Sequence, residues 1–221
     1  MVVLFVIGGE AARAYYGASN QIATVITYAK FLTFALYPKL LMRKNIEDVT
    51  TAFKLFFMFS IPMTIGAIVF ADSYLIILNV EYVVAVRILQ LMAIAMLLRT
   101  LGLVLDSIIF GTEQFDLQAK IPFSKLIKSK SFIVFTLPYI DSAIVLPLVY
   151  IILTTIKVCP LTSAFYTITI ILFSSIILLA IRCILAWKSS KFIVPWMNIS
   201  KYLIASAIMA TFLLVIPHPT R

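Results

Sequence analysis

The stretch Val83–Thr112, VVAVRILQLMAIAMLLRTLGLVLDSIIFGT, is the most informative part of this sequence. It is long enough to cross a bilayer, because a membrane-spanning helix needs about 20 predominantly apolar residues. The run carries Arg99 near its middle and Asp106 two turns later. A charged side chain at the bilayer centre costs at least about 2.5 kcal/mol. We therefore expect both charges to face a bundle interior or a hydrated cavity.

The composition of the whole chain indicates a polytopic membrane protein. Of its 221 residues, 63% are hydrophobic and 12% are charged, whereas a soluble domain is about half apolar and about a quarter charged. We expect one transmembrane helical domain covering residues 1–221. In such a protein the net charge of +9 is typical of basic cytoplasmic loops, so it does not indicate nucleic-acid binding.

Six apolar runs predict six membrane-spanning helices, and their continuous apolar character favours an all-α fold over a barrel. Their approximate ranges are 19–41, 52–71, 83–110, 131–155, 161–187 and 201–216. Residues 1–9 are apolar but too short to span, and they lack the basic start of a signal peptide. We interpret them as the end of a helix that begins upstream, and the chain as a fragment.

Lysine and arginine in alternate connections predict the orientation of these spans. Ten positive residues flank the first, third and fifth connections between spans, against two for the others. The ten are Arg43, Lys44, Lys54, Lys120, Lys125, Lys128, Lys130, Lys188, Lys191 and Lys201. Since positive residues concentrate on the cytoplasmic side, the first span enters from outside. The basic run KLIKSK, Lys125–Lys130, is either a solvated orientation signal or a helix on anionic headgroups.

Lys30 and Arg99 are the charged side chains farthest from the predicted ends of their spans. One interpretation places each of them on a substrate path, where a hydrated cation attracts an anionic group. The alternative is a structural role, in which each pairs with a carboxylate or with backbone carbonyls between helices. We favour the substrate path for both residues.

Two acidic residues are candidates for ion coupling or for structural pairing. Asp106 lies near the cytoplasmic end of its span, where we favour a structural counter-ion to a neighbouring lysine. Asp141 lies between Pro138 and Pro147, and it suits either an ion-linked transporter or the capping of backbone groups freed by proline. Arg182 and Lys39 lie near span ends, so we expect them to extend to the interface.

Enzymatic chemistry and metal binding find little support in the residues. The only histidine is His218, close to the C-terminus, and Cys159 and Cys183 lie about 36 Å apart if one helix carries both. That separation excludes a disulfide, and no metal-ligand spacing is present. No nucleophile–histidine set, paired carboxylates or phosphate-binding glycine loop is found. We predict neither catalysis nor a metal or other cofactor.

Several stretches, in this order, resemble the C-terminal half of polysaccharide biosynthesis flippases of the multidrug/oligosaccharidyl-lipid/polysaccharide exporter superfamily. They are YYGASNQIATV (Tyr15–Val25), FALYPKLL (Phe34–Leu41), FSIPMTIGAIVFAD (Phe59–Asp72), NVEYVVAVRILQLMAIA (Asn79–Ala95) and SIIFGTEQ (Ser107–Gln114). The likeness covers residues 15–115, and beyond them it rests on hydropathy.

The resemblance implies a second six-helix bundle of a 12–14-helix flippase, with residues 1–9 ending its seventh helix. The implied substrate is a polyprenyl-phosphate- or diphosphate-linked oligosaccharide, moved across the plasma membrane. The implied partners are the bilayer, that lipid-linked glycan and a missing first bundle. Lys30 and Arg99 are the cations that would attract the phosphate.

Three other functions are kept as alternatives. One is a drug or organic-cation exporter of the same superfamily, whose cavity should be acidic, whereas the mid-span charges here are mainly basic. Another is a polytopic enzyme that uses a lipid-linked donor, which needs polar catalytic groups in a loop. The last is a scaffold without transport activity or a truncated remnant.

Overall fold

The computed structural model describes residues 2–33, 46–113, 129–155, 159–190 and 194–215, together with residues 38, 42 and 127. Within these ranges every element is helical and there is no strand, which confirms the predicted all-α fold. The α-helices are α1 (Val2–Ala23), α2 (Ile46–Val69), α3 (Ala71–Leu78), α4 (Val86–Glu113), α5 (Lys130–Thr155), α6 (Pro160–Ser190) and α7 (Trp196–Val215). Two 3₁₀ helices are η1 (Thr24–Thr33) and η2 (Val80–Ala85).

Four helical segments are long and apolar enough to cross a membrane. They are Glu47–Val69, Val80–Glu113, Lys130–Thr155 and Pro160–Ser190, and they coincide with the second to fifth predicted spans. Large apolar side chains also cover the surface of α5 and α6, as they do on a helix that faces lipid. The chain therefore has the character of a membrane protein, while the count of six spans stays a prediction.

The N-terminal helix begins earlier than the predicted first span. Gly9 interrupts α1 with a φ of 79° and a ψ of −179°, a conformation that glycine adopts without the steric cost of a Cβ. From there α1 continues to Ala23 and passes directly into η1, so no helix starts at residue 19. The apolar run did not predict this earlier start, because α1 also contains polar residues such as Glu10 and Arg13.

Helix α4 occupies the centre of the bundle and packs against α1, η1, α2, α5 and, most extensively, α6. Its N-terminal half contributes Ile88, Leu89, Met92 and Ala95 to a first core cluster with α1, α3, the end of α5 and the start of α6. Its C-terminal half contributes residues 104–109 to a second cluster with η1, α2 and the end of α6. Between them, residues 96–103 of α4 carry Arg99, Thr100 and Gly102.

Three prolines lie inside helices without ending them. Helix α2 continues through Pro62, and α5 continues through Pro138 and Pro147.

Other predictions concern residues that the structure leaves undescribed. Lys39, His218 and most of the basic run KLIKSK belong to this group.

Candidate functional site

A layer of polar side chains crosses the middle of α4, α5 and α6. Arg99 Nε of α4 donates a hydrogen bond to Ser175 Oγ of α6 at 3.2 Å. The adjacent Ser174 Oγ donates to Asp141 Oδ1 of α5. The two serines thus contact helices on different sides of α6, and one cation and one anion are held through neutral hydroxyl groups. We call Arg99, Ser175, Ser174 and Asp141 the mid-helix polar layer.

The mid-helix polar layer lies between the two core clusters. Its four residues belong to neither cluster, and each occupies a position near the middle of its helix. Arg99 is partly exposed. The layer therefore interrupts the apolar interior at one level, where a charged group would otherwise meet hydrocarbon.

A second arginine lies in the same α4–α6 interface with different surroundings. Arg182 Nε of α6 lies 3.0 Å from Asp106 Oδ1 of α4, and both residues are buried, with 8% of their surface exposed. The contact is a direct ion pair between the two helices. Gly102, one turn before Asp106, provides the space: a Cβ there would lie 2.7 Å from Arg182 Nη1. The Arg182 side chain therefore packs directly over the α4 backbone.

The contacts along this interface show that α4 and α6 are parallel. Arg99 meets Ser175, Asp106 meets Arg182, and Thr112 Oγ1 lies 2.7 Å from Ser189 Oγ. The residue numbers rise together on both helices, by seven and then by six or seven. Two spans separated by one intervening span must cross a membrane in the same direction, so this geometry agrees with the alternating orientation predicted for the third and fifth spans.

The ends of α4, α5 and α6 are joined by a further polar cluster. Glu113, the last residue of α4, accepts hydrogen bonds from the backbone N–H groups of Lys130 and Ser131, both at 2.8 Å. These N–H groups at the start of α5 have no partner within their own helix, and a carboxylate there is favoured by the helix dipole. Lys130 Nζ in turn donates to the Lys188 carbonyl of α6 at 3.1 Å.

Lys30 lies in η1, away from these contacts. Its Nζ is 5.5 Å from the centroid of the Phe31 ring, within the range of a cation–π interaction. Phe31 stacks on Tyr28 with ring centroids 6.0 Å apart, and more than half of each of these aromatic residues is exposed. Lys30 forms no ion pair with a carboxylate among the residues that the structure describes, whereas Asp106 pairs with Arg182.

The four candidate site residues predicted from sequence, Lys30, Arg99, Asp106 and Asp141, have different contact partners in the structure. Lys30 contacts Phe31 and Arg99 contacts Ser175, so the two cations have different partners. Asp106 pairs with Arg182, an arginine rather than the lysine that we expected. Asp141 contacts Ser174 and does not take part in a direct ion pair within the described ranges.

The predicted position of Arg182 at the membrane interface is wrong. The residue is buried beside Gly102, because α6 continues for eight residues beyond it and holds its side chain inside the interface. Ser174, Ser175 and Gly102 were also missed. The available signal was the seven-residue spacing from Arg99 to Asp106, which matches the spacing from Ser175 to Arg182.

The residues that the structure describes contain neither a candidate metal site nor a disulfide. In this part of the chain no group of three or more His, Cys, Asp or Glu residues is arranged to hold a metal ion. Cys159 and Cys183 are free thiols. The mid-helix polar layer and the Asp106–Arg182 pair place charged groups between apolar helices.

Comparison with known proteins adds no family to these observations. No protein-family model matches the chain, and searches of curated proteins and of solved structures found no significant match.

Proposed function

We propose that this chain forms part of a flippase that moves a polyprenyl-phosphate- or diphosphate-linked oligosaccharide across the plasma membrane for polysaccharide or glycoconjugate synthesis. The observation that supports it best is the contrast among three cations within the helical bundle. Arg182 has its own carboxylate, whereas Arg99 contacts a neutral serine and Lys30 contacts an aromatic ring. The last two therefore retain positive charge for an anionic substrate.

Arg99 is suited to a phosphate because of its shape as well as its charge. A guanidinium has five N–H donors in a planar fork, and Nε is the one with a hydrogen-bond partner among the described residues. The remaining donors match two oxygens of a phosphate. In this proposal Arg99 orients the phosphate group and Lys30 supplies a second, more mobile charge.

The proposed transport involves positioning rather than catalysis, and no bond of the substrate is broken. The apolar polyprenyl chain stays in the bilayer beside the exposed aliphatic and aromatic side chains of α5 and α6. The resemblance implies that a pathway of this kind is enclosed by two bundles. A second bundle is therefore a required partner in the proposal, together with the lipid bilayer and the glycan substrate.

The experiment replaces each cation by alanine in the complete transporter reconstituted in vesicles that contain a fluorescent oligosaccharide linked to polyprenyl diphosphate. We expect Arg99→Ala and Lys30→Ala to reduce its movement at least about tenfold, one factor of ten corresponding to about 1.4 kcal/mol. Arg99→Lys should recover part of the rate, because it keeps the charge but loses the fork.

Arg87→Ala is the matched control, since Arg87 is an exposed arginine at the start of the same helix. It should transport normally. Normal transport by either Arg99→Ala or Lys30→Ala, with protein present at the wild-type level, would contradict the proposal.

A second function, export of an organic cation, is favoured by one observation. Asp141 is partly exposed on α5 and is contacted by the neutral Ser174, so its negative charge is also available. An exporter should lose activity in Asp141→Asn and keep it in Lys30→Ala. The flippase should show the reverse order of effects.

A further inference from the structure

One edge of the α5–α6 pair exposes a row of large apolar side chains on each helix. The two rows are Ile133, Ile144 and Ile151 of α5, and Phe173, Ile177 and Ile184 of α6. Their exposed fractions lie between 43% and 64%. Val134 of α5 and Arg182 of α6, which lie elsewhere on the two helices, are buried. The exposed rows are therefore the surface that this helix pair presents to lipid.

Both rows border the same groove between α5 and α6. Since each residue of an α-helix turns through about 100°, the α5 row lies about 60–80° from Asp141, which faces α6. In the same rotational sense, the α6 row lies about 60–100° from Ser174, which faces α5. Lys130 and Asp141 of α5 contact Lys188 and Ser174 of α6 in reverse order, so the helices are antiparallel. Equal rotation on antiparallel helices brings both rows to one side, and we call the surface between them the α5–α6 groove.

Two lysines lie at the end of the α5–α6 groove that the sequence predicts to be cytoplasmic. Lys130 Nζ donates to the Lys188 carbonyl at 3.1 Å, which brings the first residue of α5 beside the last turn of α6. An ammonium group has three N–H donors, so two of them remain on Lys130. The Lys188 side chain is exposed and its ammonium group has no acceptor among the residues that the structure describes. This end of the groove therefore offers several N–H donors of positive charge.

The one carboxylate in this cluster does not neutralise both lysines. Glu113 uses its two oxygens to accept the backbone N–H groups of Lys130 and Ser131. Within the described ranges, neither Lys130 nor Lys188 forms an ion pair with a carboxylate. Two ammonium groups thus stand against one carboxylate, which leaves an excess of positive charge at this end.

Trp187 indicates the level of this end in the membrane. Its side chain is 62% exposed, and tryptophan is enriched where a membrane meets water. It follows the exposed apolar row of α6 and directly precedes Lys188. The two ammonium groups therefore lie at the level of the lipid headgroups, and the apolar rows lie at the level of the acyl chains.

We propose that the α5–α6 groove binds a phospholipid with an anionic headgroup, whose phosphate contacts Lys130 and Lys188 and whose acyl chains follow the two apolar rows. Ammonium groups form charge-assisted hydrogen bonds with phosphate oxygens, and basic pockets between transmembrane helices on the cytoplasmic side bind acidic headgroups. Phosphatidylcholine carries a cation of its own, so it gains less from the two lysines. The occupant is a resident lipid of the bilayer, and the proposal is independent of the substrate that the protein transports.

The test uses the fluorescence of Trp187 to report on lipids at the groove end. Trp196→Phe removes the second of the two tryptophans, and the 221-residue chain is reconstituted in phosphatidylcholine vesicles. Phosphatidylglycerol that is brominated near the top of its acyl chains is added at increasing mole fractions. Quenching of Trp187 then gives its affinity relative to phosphatidylcholine. We expect a preference of at least about tenfold, since each lysine contributes about fivefold, the equivalent of about 1 kcal/mol.

Lys130→Gln/Lys188→Gln should lower this preference to about twofold or less, because both ammonium groups are lost. Lys130→Arg/Lys188→Arg should keep it, which shows that the chain tolerates substitution at these positions. The matched control is Lys54→Gln/Lys201→Gln, which removes the same charge from two exposed lysines of α2 and α7 and should leave the preference unchanged. Equal losses in the two glutamine variants, or a preference below about twofold in the otherwise native chain, would overturn the proposal.

Competition in the same vesicles distinguishes the resident lipid from other phosphates. Unlabelled phosphatidylglycerol should restore the fluorescence of Trp187, whereas inorganic phosphate should not, because it lacks the acyl chains that contact the apolar rows. Restoration by inorganic phosphate would mean that the lysines bind free anions, and the lipid site would be wrong. If a long-chain polyprenyl phosphate competes at least about tenfold more strongly than phosphatidylglycerol, equivalent to about 1.4 kcal/mol, the groove is a substrate site and the resident-lipid proposal fails.

Discussion

Arg99 and Arg182 lie in the same α4–α6 interface, one on each helix, but their surroundings differ in charge and exposure. Arg182 is buried and lies 3.0 Å from a carboxylate, with the backbone of Gly102 beneath it. Arg99 is partly exposed and donates to a serine hydroxyl at 3.2 Å. The same side chain is thus neutralised at one level of the bundle and left charged about two helical turns away.

The difference shows that two arginines in one helix pair can have opposite electrostatic surroundings. Removing one partner of a buried ion pair leaves an uncompensated charge, so such a pair holds its helices in a fixed arrangement. A hydroxyl partner leaves most of the arginine charge unopposed, which keeps that arginine available to an anion. Four predictions test whether this contrast holds, from the largest expected effect to the smallest.

Asp106→Ala should lower the free energy of unfolding by about 3–5 kcal/mol, because it leaves Arg182 buried without a counter-ion. Unfolding by SDS in mixed micelles, followed by circular dichroism, measures the loss. The double variant Asp106→Leu/Arg182→Met should recover most of it, since it removes both charges. A loss below about 1 kcal/mol in Asp106→Ala would place Arg182 in the same class as Arg99 and remove the contrast.

Gly102→Ala should destabilise the chain by about 1–3 kcal/mol, because the added methyl group would overlap Arg182 Nη1 and the buried interface has little room to adjust. Gly17→Ala is the control, since a Cβ there meets nothing within 4 Å. That control should gain up to about 1 kcal/mol from the better helix propensity of alanine. Equal changes in the same micelle unfolding assay would show that Arg182 does not need the space over Gly102.

Ser174→Ala should cost about 1.5 kcal/mol, the lower end of the range for hydrogen bonds to charged groups. The adjacent Ser175→Ala should cost less, because its hydroxyl also donates to the Ile171 carbonyl of its own helix and serves Arg99 only as an acceptor. Urea denaturation in detergent compares the two variants. A larger loss in Ser175→Ala would mean that Arg99, and not Asp141, is the residue held structurally by this layer.

Arg99→Ala should change the free energy of unfolding by less than about 1 kcal/mol, since it removes the charge together with its hydrogen bond and leaves Ser175 Oγ bonded to the Ile171 carbonyl. Two double-mutant cycles measure directly how strongly each arginine interacts with its partner. Arg99 with Ser175 should show a coupling energy of about 0.5 kcal/mol, and Arg182 with Asp106 a coupling energy above about 2 kcal/mol. Similar coupling energies in both cycles would make Arg99 a structural residue.

The positions of the mid-span charges could be predicted from sequence, whereas their partners could not. A charge stands out in an apolar run, so Lys30, Arg99, Asp106 and Asp141 were identifiable at once. Serines are common in membrane helices, so nothing distinguished Ser174 and Ser175 from other serines until the packing of α6 against two helices was known. The position of Arg182 near the end of its span favoured the interface, and only the extension of α6 beyond it shows otherwise.

The 3₁₀ helix η1 is a second case in which the sequence contained a pattern that the prediction did not use. Thr24, Thr27, Lys30 and Thr33 recur every three residues in the printed sequence. A period of about 3.0 indicates a 3₁₀ helix, but the apolar content of the run predicted an ordinary membrane span. Composition determines that a helix forms in lipid, since all backbone groups must be paired internally, and it leaves open which helix forms.

The polar contacts between α4 and α6 also determine the register in which the two helices pack. If α6 slid by seven residues, or about 10 Å, toward the start of α4, Arg182 would lie opposite Arg99 and two cations would repel each other. A slip of seven residues in the other direction would bring Arg182 beside Glu113, whose carboxylate already accepts the N–H groups at the start of α5, and would leave Asp106 facing Ser175. Apolar side chains alone would tolerate either displacement with modest repacking. A displacement of α6 along α4 therefore costs more than the repacking of apolar side chains, and the polar contacts favour the observed register.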